Sequence, residues 1–247
     1  MCVAIASAHA QGSLRIIHVF VALADNQHQG IVPVPAHLGN GEDPEHNLYW
    51  GSAYGVKTYF SRSADWVRIT CKEKSKAAVL ERCLFRHRSA NVYLVADAYR
   101  GSEIRQAVTD FLNAAAGGGG ELLSVPNSPD LPIYGGANLV AYVGHDGLMD
   151  FQLSDLPQQK NQTHRDAVIL ACASKQFFAG PVRASGAFPL LWTTGLMAPE
   201  AYTLKSALDG WIAGQSNEQI RDLAAGAYDK YQKCGVRAAR RLLVSGW

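Results

Sequence analysis

The chain has 247 residues, 48% of them hydrophobic and 18% charged, with a formal net charge of +2. That length suits one large α/β domain or two small ones, and the composition excludes a disordered segment. So small a net charge argues against a nucleic-acid partner, and no apolar stretch reaches the ~18 residues that a membrane span requires; the longest, residues 16–24, has strand length and contains His18.

Residues 1–11 read MCVAIASAHAQ. Ala8-His9-Ala10 before Gln11 has the small-residue character of a secretory cleavage site, although the apolar part before it is short and has no basic head. The expectation is a signal-peptide remnant and export to the periplasm or outside the cell; without export the protein would be cytoplasmic. With no internal repeat and no break in composition, residues 12–247 read as a single α/β domain.

Residues 14–24 predict the first, central strand, ending at Asp25. Residues 26–46 form a long loop with three prolines and with His28, His37 and His46, whose nine-residue spacing fits no single face and gives little support to a metal site. Over 47–60, Tyr49, Ala53, Val56 and Phe60 recur at helical steps, with Asn47 placed to cap the start. Val67, Ile69 and Cys71 alternate with Arg68, Thr70 and Lys72, which is strand periodicity. After a charged turn at 72–76, residues 79–85 return as a second strand or form a short helix, and 91–96 form a strand ending at Asp97. Ser102 caps a helix through Leu112, with Ile104, Val108, Phe111 and Leu112 on its inner face. Glycines 117–120 follow that helix, whereas a phosphate loop must precede one. They therefore end it and open a flexible connection through residues 121–136.

Two short apolar runs follow. Residues 139–143 stop at Gly144-His145-Asp146-Gly147, and residues 167–170 stop at Ala171-Cys172-Ala173-Ser174. Such runs fit strands buried on both faces, and reactive groups collect at the carboxyl ends of parallel strands. If the strands are neighbours, His145 and Cys172 emerge together, and a thiol beside an imidazole is a nucleophile with its base. Between them, 148–153 suits a small hairpin and 154–157 the start of a short helix. Beyond them come a loop or short helix at 175–187, a strand at 189–194, and helices at 199–213 and 217–233. Ser216 and Gln219 carry a capping-box signature, and the tail 236–247 is open between helix and strand. No C-x-x-C pair occurs among Cys2, Cys71, Cys83, Cys172 and Cys234, which argues against structural zinc; Cys71 and Cys83 can bridge two strands if the compartment is oxidising.

The His145/Cys172 pattern resembles the caspase-like (clan CD) cysteine peptidases, whose mark is an apolar strand ending in His-Gly and then one ending in Ala-Cys. Ala171-Cys172 matches directly, while Asp146 separates His145 from Gly147. The resemblance implies a caspase-like three-layer sandwich, with a mainly parallel central sheet and helices on both faces. It also implies a cysteine endopeptidase acting on a peptide or protein substrate, with no cofactor and no metal. Cys172 would be the nucleophile and His145 the general base or proton donor. The amide of Cys172 and that of Asp146 or Gly147 would form the oxyanion hole, and Asp146 would orient the imidazole or face solvent. For the substrate pocket, Asp25, Asp97, Asp146 and Asp150 favour a basic residue before the scissile bond, whereas Lys175 and Arg183 favour an acidic one; both remain open. Two rivals are a catalytically inactive module of the same fold, used for binding or scaffolding, and a metal-dependent hydrolase built on Asp25 and Asp97. A serine hydrolase is disfavoured by the lack of a G-x-S-x-G elbow.

Overall fold

A computed structural model describes residues 12–73, 78–125 and 128–247; the expected signal-peptide remnant and most of the charged turn at 72–76 lie outside them. The elements in chain order are β1 (Arg15–Ala22), α1 (Val56–Arg62), β2 (Trp66–Glu73), β3 (Val79–His87), β4 (Val92–Tyr99), α2 (Ile104–Ala115), β5 (Glu121–Leu123) and β6 (Leu131–Ile133). They continue with β7 (Leu139–Val143), β8 (Asp166–Leu170), α3 (Ser174–Ser185), β9 (Phe188–Thr193), α4 (Ala201–Ile212), α5 (Asn217–Gln232), α6 (Val236–Leu242) and β10 (Leu243–Val244).

Among the described residues, eight strands form one sheet in the order β10-β9-β8-β7-β1-β4-β3-β2. The run from β9 to β4 is parallel, and antiparallel strands close both edges. The central strands are apolar throughout because each is covered on both faces. In β1, Ile17, Val19 and Val21 pack with residues of α1, α4 and α5, while Ile16, Phe20 and Ala22 pack with residues of α2 and α3. Thus the chain is α/β, with a large, mostly parallel sheet and helices on both faces.

Several local expectations are corrected. The helix anticipated at 47–60 begins only at Val56. A Cβ on Gly51 would lie 2.1 Å from the Glu45 carbonyl oxygen and one on Gly55 would lie 2.4 Å from the Trp50 backbone, so this stretch folds as tight turns. Asn47 caps no helix; its amide group instead accepts from the Ala24 N–H at 3.0 Å and donates to the Ala24 carbonyl at 2.8 Å, pinning the loop to the exit of β1. Ser102 lies in a 3-10 turn ahead of α2 and makes no capping bond. The glycine run is an anchored crossing rather than a flexible linker. Gly117 and Gly119 take φ of +86° and +69°, and the Gly135 amide donates to the Gly118 carbonyl at 2.9 Å. Residues 79–85 lie in a strand, and Cys71 and Cys83 form a registered pair of β2 and β3 joined by a disulfide. The capping box at Ser216 and Gln219 is present, and the tail is helix followed by a short strand.

Candidate functional site

The site begins with register. β7 and β8 are adjacent and parallel, and Val143 is the partner of Leu170. His145 and Cys172 each lie two residues past that pair. Val143 and Leu170 both face the layer of α1, α4 and α5. Alternation of side chains along a strand therefore directs both residues to the same rim. Both line one cleft of about 420 Å³.

Gly144 makes the exit from β7 possible. Its φ is +151°, and a Cβ there would lie 2.8 Å from the Ala22 carbonyl oxygen, so the chain passes hard against β1. The Gly144 amide donates to the Leu170 carbonyl at 3.2 Å, holding the two strand ends together. The buried Tyr142 hydroxyl donates to the His145 carbonyl at 2.7 Å. His145 itself is 6% exposed, and its Nε2 meets Asp150 Oδ2 at 2.7 Å. Asp150 also accepts the Gly30 amide at 3.1 Å, and a Cβ on Gly30 would displace that carboxylate. Asp150 thus holds the imidazole by Nε2, and Nδ1 has no hydrogen-bond partner among the described residues.

Asp146 neither orients the imidazole nor faces solvent. It is fully buried, and its Oδ1 accepts the Leu148 amide at 3.0 Å as the cap of a 3-10 turn, Gly147–Met149. That turn, followed by irregular chain, stands where the small hairpin and the short helix were expected. Asp146 Oδ2 has no partner, and burial pushes the carboxyl up to about 7, with Asp150 adding to the shift. Neither Asp146 nor Gly147 lines the cleft. Their amides donate to no acceptor among the described residues.

Cys172 is half-buried at the exit of β8. Ala173 then takes the left-handed conformation, φ 47° and ψ 31°, a sharp turn from strand into α3. Ser174 and Thr193 lock it. Ser174 Oγ donates to the Ile169 carbonyl at 3.0 Å and accepts the Thr193 amide at 3.0 Å, while the Ser174 amide donates to Thr193 Oγ1 at 3.1 Å. The helix expected to be short or absent at 175–187 runs the full length of α3 and points its N-terminus at this turn, where partial positive charge favours an anion. The Met197 amide donates to Cys172 Sγ at 3.4 Å, which ties the loop after β9 to the sulfur.

The cleft walls are mainly apolar, and Glu200 lies among the lining residues. Burial raises the Glu200 carboxyl above its ordinary value, against the effect of the Tyr202 hydroxyl, which donates to Oε2 at 2.7 Å. Tyr49, also on the wall, is pushed up by burial, with Cys172 and Glu200 close enough to add to the effect.

The structure does not bring the expected pocket residues to this cleft. Asp25 is nearly buried; it accepts the Gln27 amide at 2.8 Å and meets His28 Nδ1 at 2.9 Å. Asp97 lies within β4 rather than past its end, fully buried between Arg82, whose Nε and a terminal guanidinium nitrogen donate at 2.5 and 2.6 Å, and His18 Nε2 at 3.1 Å. Burial alone would raise Asp97, but those bonds outweigh it and hold the carboxyl at about 2. Lys175 sits over the Trp192 ring and Arg183 over the Trp247 ring. Asp25 and Asp97 belong to no metal-ligating group among the described residues. Among the described residues, Cys71, Glu81 and Cys83 do lie within ligand distance, but the two thiols are joined as a disulfide.

Sequence reasoning missed Asp150 as the partner of His145, and missed Glu200 and Met197 entirely. Asp150 had a faint signal, an Asp-Gly pair able to start a tight turn that brings position 150 back to position 145. Glu200 had none, because its place depends on a loop that reaches across from β9. Comparisons with protein-family models, with curated proteins and with solved structures find no match to this chain.

Proposed function

We propose that the protein is a cysteine endopeptidase of caspase-like fold, hydrolysing peptide bonds with Cys172 and His145. The observation that carries the reading is the register. The two residues leave adjacent parallel strands two positions past a single registered pair and line one cleft. His145 takes the thiol proton, and the Cys172 thiolate attacks the scissile carbonyl carbon, forming a C–S bond as the carbonyl π pair moves onto oxygen to give a tetrahedral oxyanion. The Cys172 amide is the donor for that oxyanion. As the C–N bond breaks, His145 gives its proton to the leaving amine. It then takes a proton from water, which hydrolyses the thioester and returns the free sulfur and a carboxylic acid. Asp150 is a positioning residue that fixes the ring and balances its positive charge. The disulfide between Cys71 and Cys83 supports an exported protein, because such bonds persist in oxidising compartments.

The test is digestion of an unfolded protein mixture, with the new termini read by mass spectrometry. Cleavage by wild type and none by Cys172→Ala or His145→Ala is the expected result. Equal cleavage by Cys172→Ala would exclude the reading. The contact of Met197 with Sγ favours one alternative, a closed, non-catalytic module of the same fold. That alternative expects no cleavage by any of the three proteins.

A further inference from the structure

We propose that the cleft takes the cationic side chain, lysine or arginine, of the residue that precedes the cleaved bond, with its methylenes on the apolar walls and its charge on Glu200. This rests on Cys172 being the nucleophile. The walls include Ile31, Val32, Leu48, Leu196 and Pro199, and among the described residues no lysine or arginine lines the cleft. Val32 is 84% and Leu196 77% exposed, two large apolar side chains left open at the cleft. Glu200 is the one carboxylate among the lining residues. Its Oε2 accepts from the Tyr202 hydroxyl at 2.7 Å and from Gln232 Nε2 at 3.3 Å, while Oε1 has no partner among the described residues. A carboxylate set in apolar walls without a counter-charge attracts a cation and rejects an anion.

The reach also fits. Met197 touches Cys172 Sγ, and Glu200 stands three residues further along the same loop. That is a contour of at most about 11 Å, within the span of an extended arginine placed with its carbonyl at the sulfur. Both Cys172 and Glu200 also act on the Tyr49 and Tyr228 phenols, which puts them around a common space.

The test uses three peptidyl acyloxymethyl ketones that differ only in carrying Lys, Leu or Asp next to the reactive group, with the rate of Cys172 labelling read by mass spectrometry. Wild type is expected to react with the Lys probe at least about tenfold faster than with the other two, and Glu200→Gln to lose about tenfold or more of that preference, the scale of one charge-assisted hydrogen bond. Glutamine has the shape of glutamate and still accepts from Tyr202. If Glu200→Gln does not fold, slowing of Lys-probe labelling of wild type by benzamidine replaces it, and no slowing counts against the proposal. A second arm measures benzamidine binding by calorimetry to Cys172→Ala and to the Cys172→Ala, Glu200→Gln double variant, which reads the cation site without covalent chemistry. Binding at least tenfold weaker in the double variant supports the proposal. Fastest labelling by the Asp probe, or equal rates for Lys and Leu, overturns it while leaving the peptidase reading intact. If no probe labels Cys172, the peptidase reading fails, and the calorimetry alone decides whether the cleft is a cation site.

Discussion

Replacing Asp146 by asparagine should remove a pH-dependent cost from the folded state. Asp146 is fully buried beside His145, one of its oxygens has no partner, and its carboxyl is raised from 3.8 to about 7. The native state therefore binds this proton more tightly than the unfolded chain does. Stability from this group is present below pH 4 and is lost as pH rises through about 7. Three pH units at about 1.4 kcal/mol each give an upper bound of about 4 kcal/mol. Asparagine keeps the acceptor for the Leu148 amide. It leaves a buried N–H group unpaired, at a cost of about 1–3 kcal/mol that does not vary with pH. Urea unfolding followed by tryptophan fluorescence, from pH 4.5 to pH 8.5, would give the stability difference between the two proteins. Other titrating groups, such as the buried His18, are common to both and cancel. The variant should gain at least about 2 kcal/mol on wild type across that range. A difference constant to within about 0.5 kcal/mol would refute the reasoning.

Asp150→Asn should lower kcat on the order of 10²-fold with little change in KM, because the imidazole loses its orienting charge while the cleft walls stay in place; an unchanged kcat would remove Asp150 from the mechanism. Gly144→Ala should cost about 2 kcal/mol or more in urea unfolding, since it adds left-handed strain to a contact with the Ala22 carbonyl; a near-neutral variant would refute the close approach of β7 to β1. Paired Cys71→Ser and Cys83→Ser substitutions should cost about 3 kcal/mol, the loop-closure value for residues 12 apart, and addition of reductant should then have no further effect.

The sheet was legible where burial on both faces wrote continuous apolar runs. β1, β7 and β8 follow from that pattern, and with them the positions of His145 and Cys172. Helix periodicity misled at 47–60, where apolar spacing is right but Gly51 and Gly55 permit a backbone approach that no helix makes. At Asp97 a polar residue interrupts an apolar run and so reads as a strand end. Its charge is instead absorbed by Arg82 and His18, and the strand continues to Tyr99. The walls of the cleft were legible only in part: Ile31 and Val32 belong to the long loop that leaves the carboxyl end of β1, the side of a parallel sheet where functional loops gather. Glu200 and the loop after β9 come from far along the chain from Ile31 and Leu48, and only the closure of loops around the sheet brings them together.

Cys172, placed between His145 and the start of α3, is the proposed activated nucleophile. Cys234 is the more exposed of the two free thiols in the described residues, so exposure and reactivity make opposite demands. Limited iodoacetamide at neutral pH, with the modified peptides mapped by mass spectrometry, separates them. Modification of Cys172 before Cys234, slowed by His145→Ala, is the expected result; modification of Cys234 first, with Cys172 reacting only after unfolding, would contradict it.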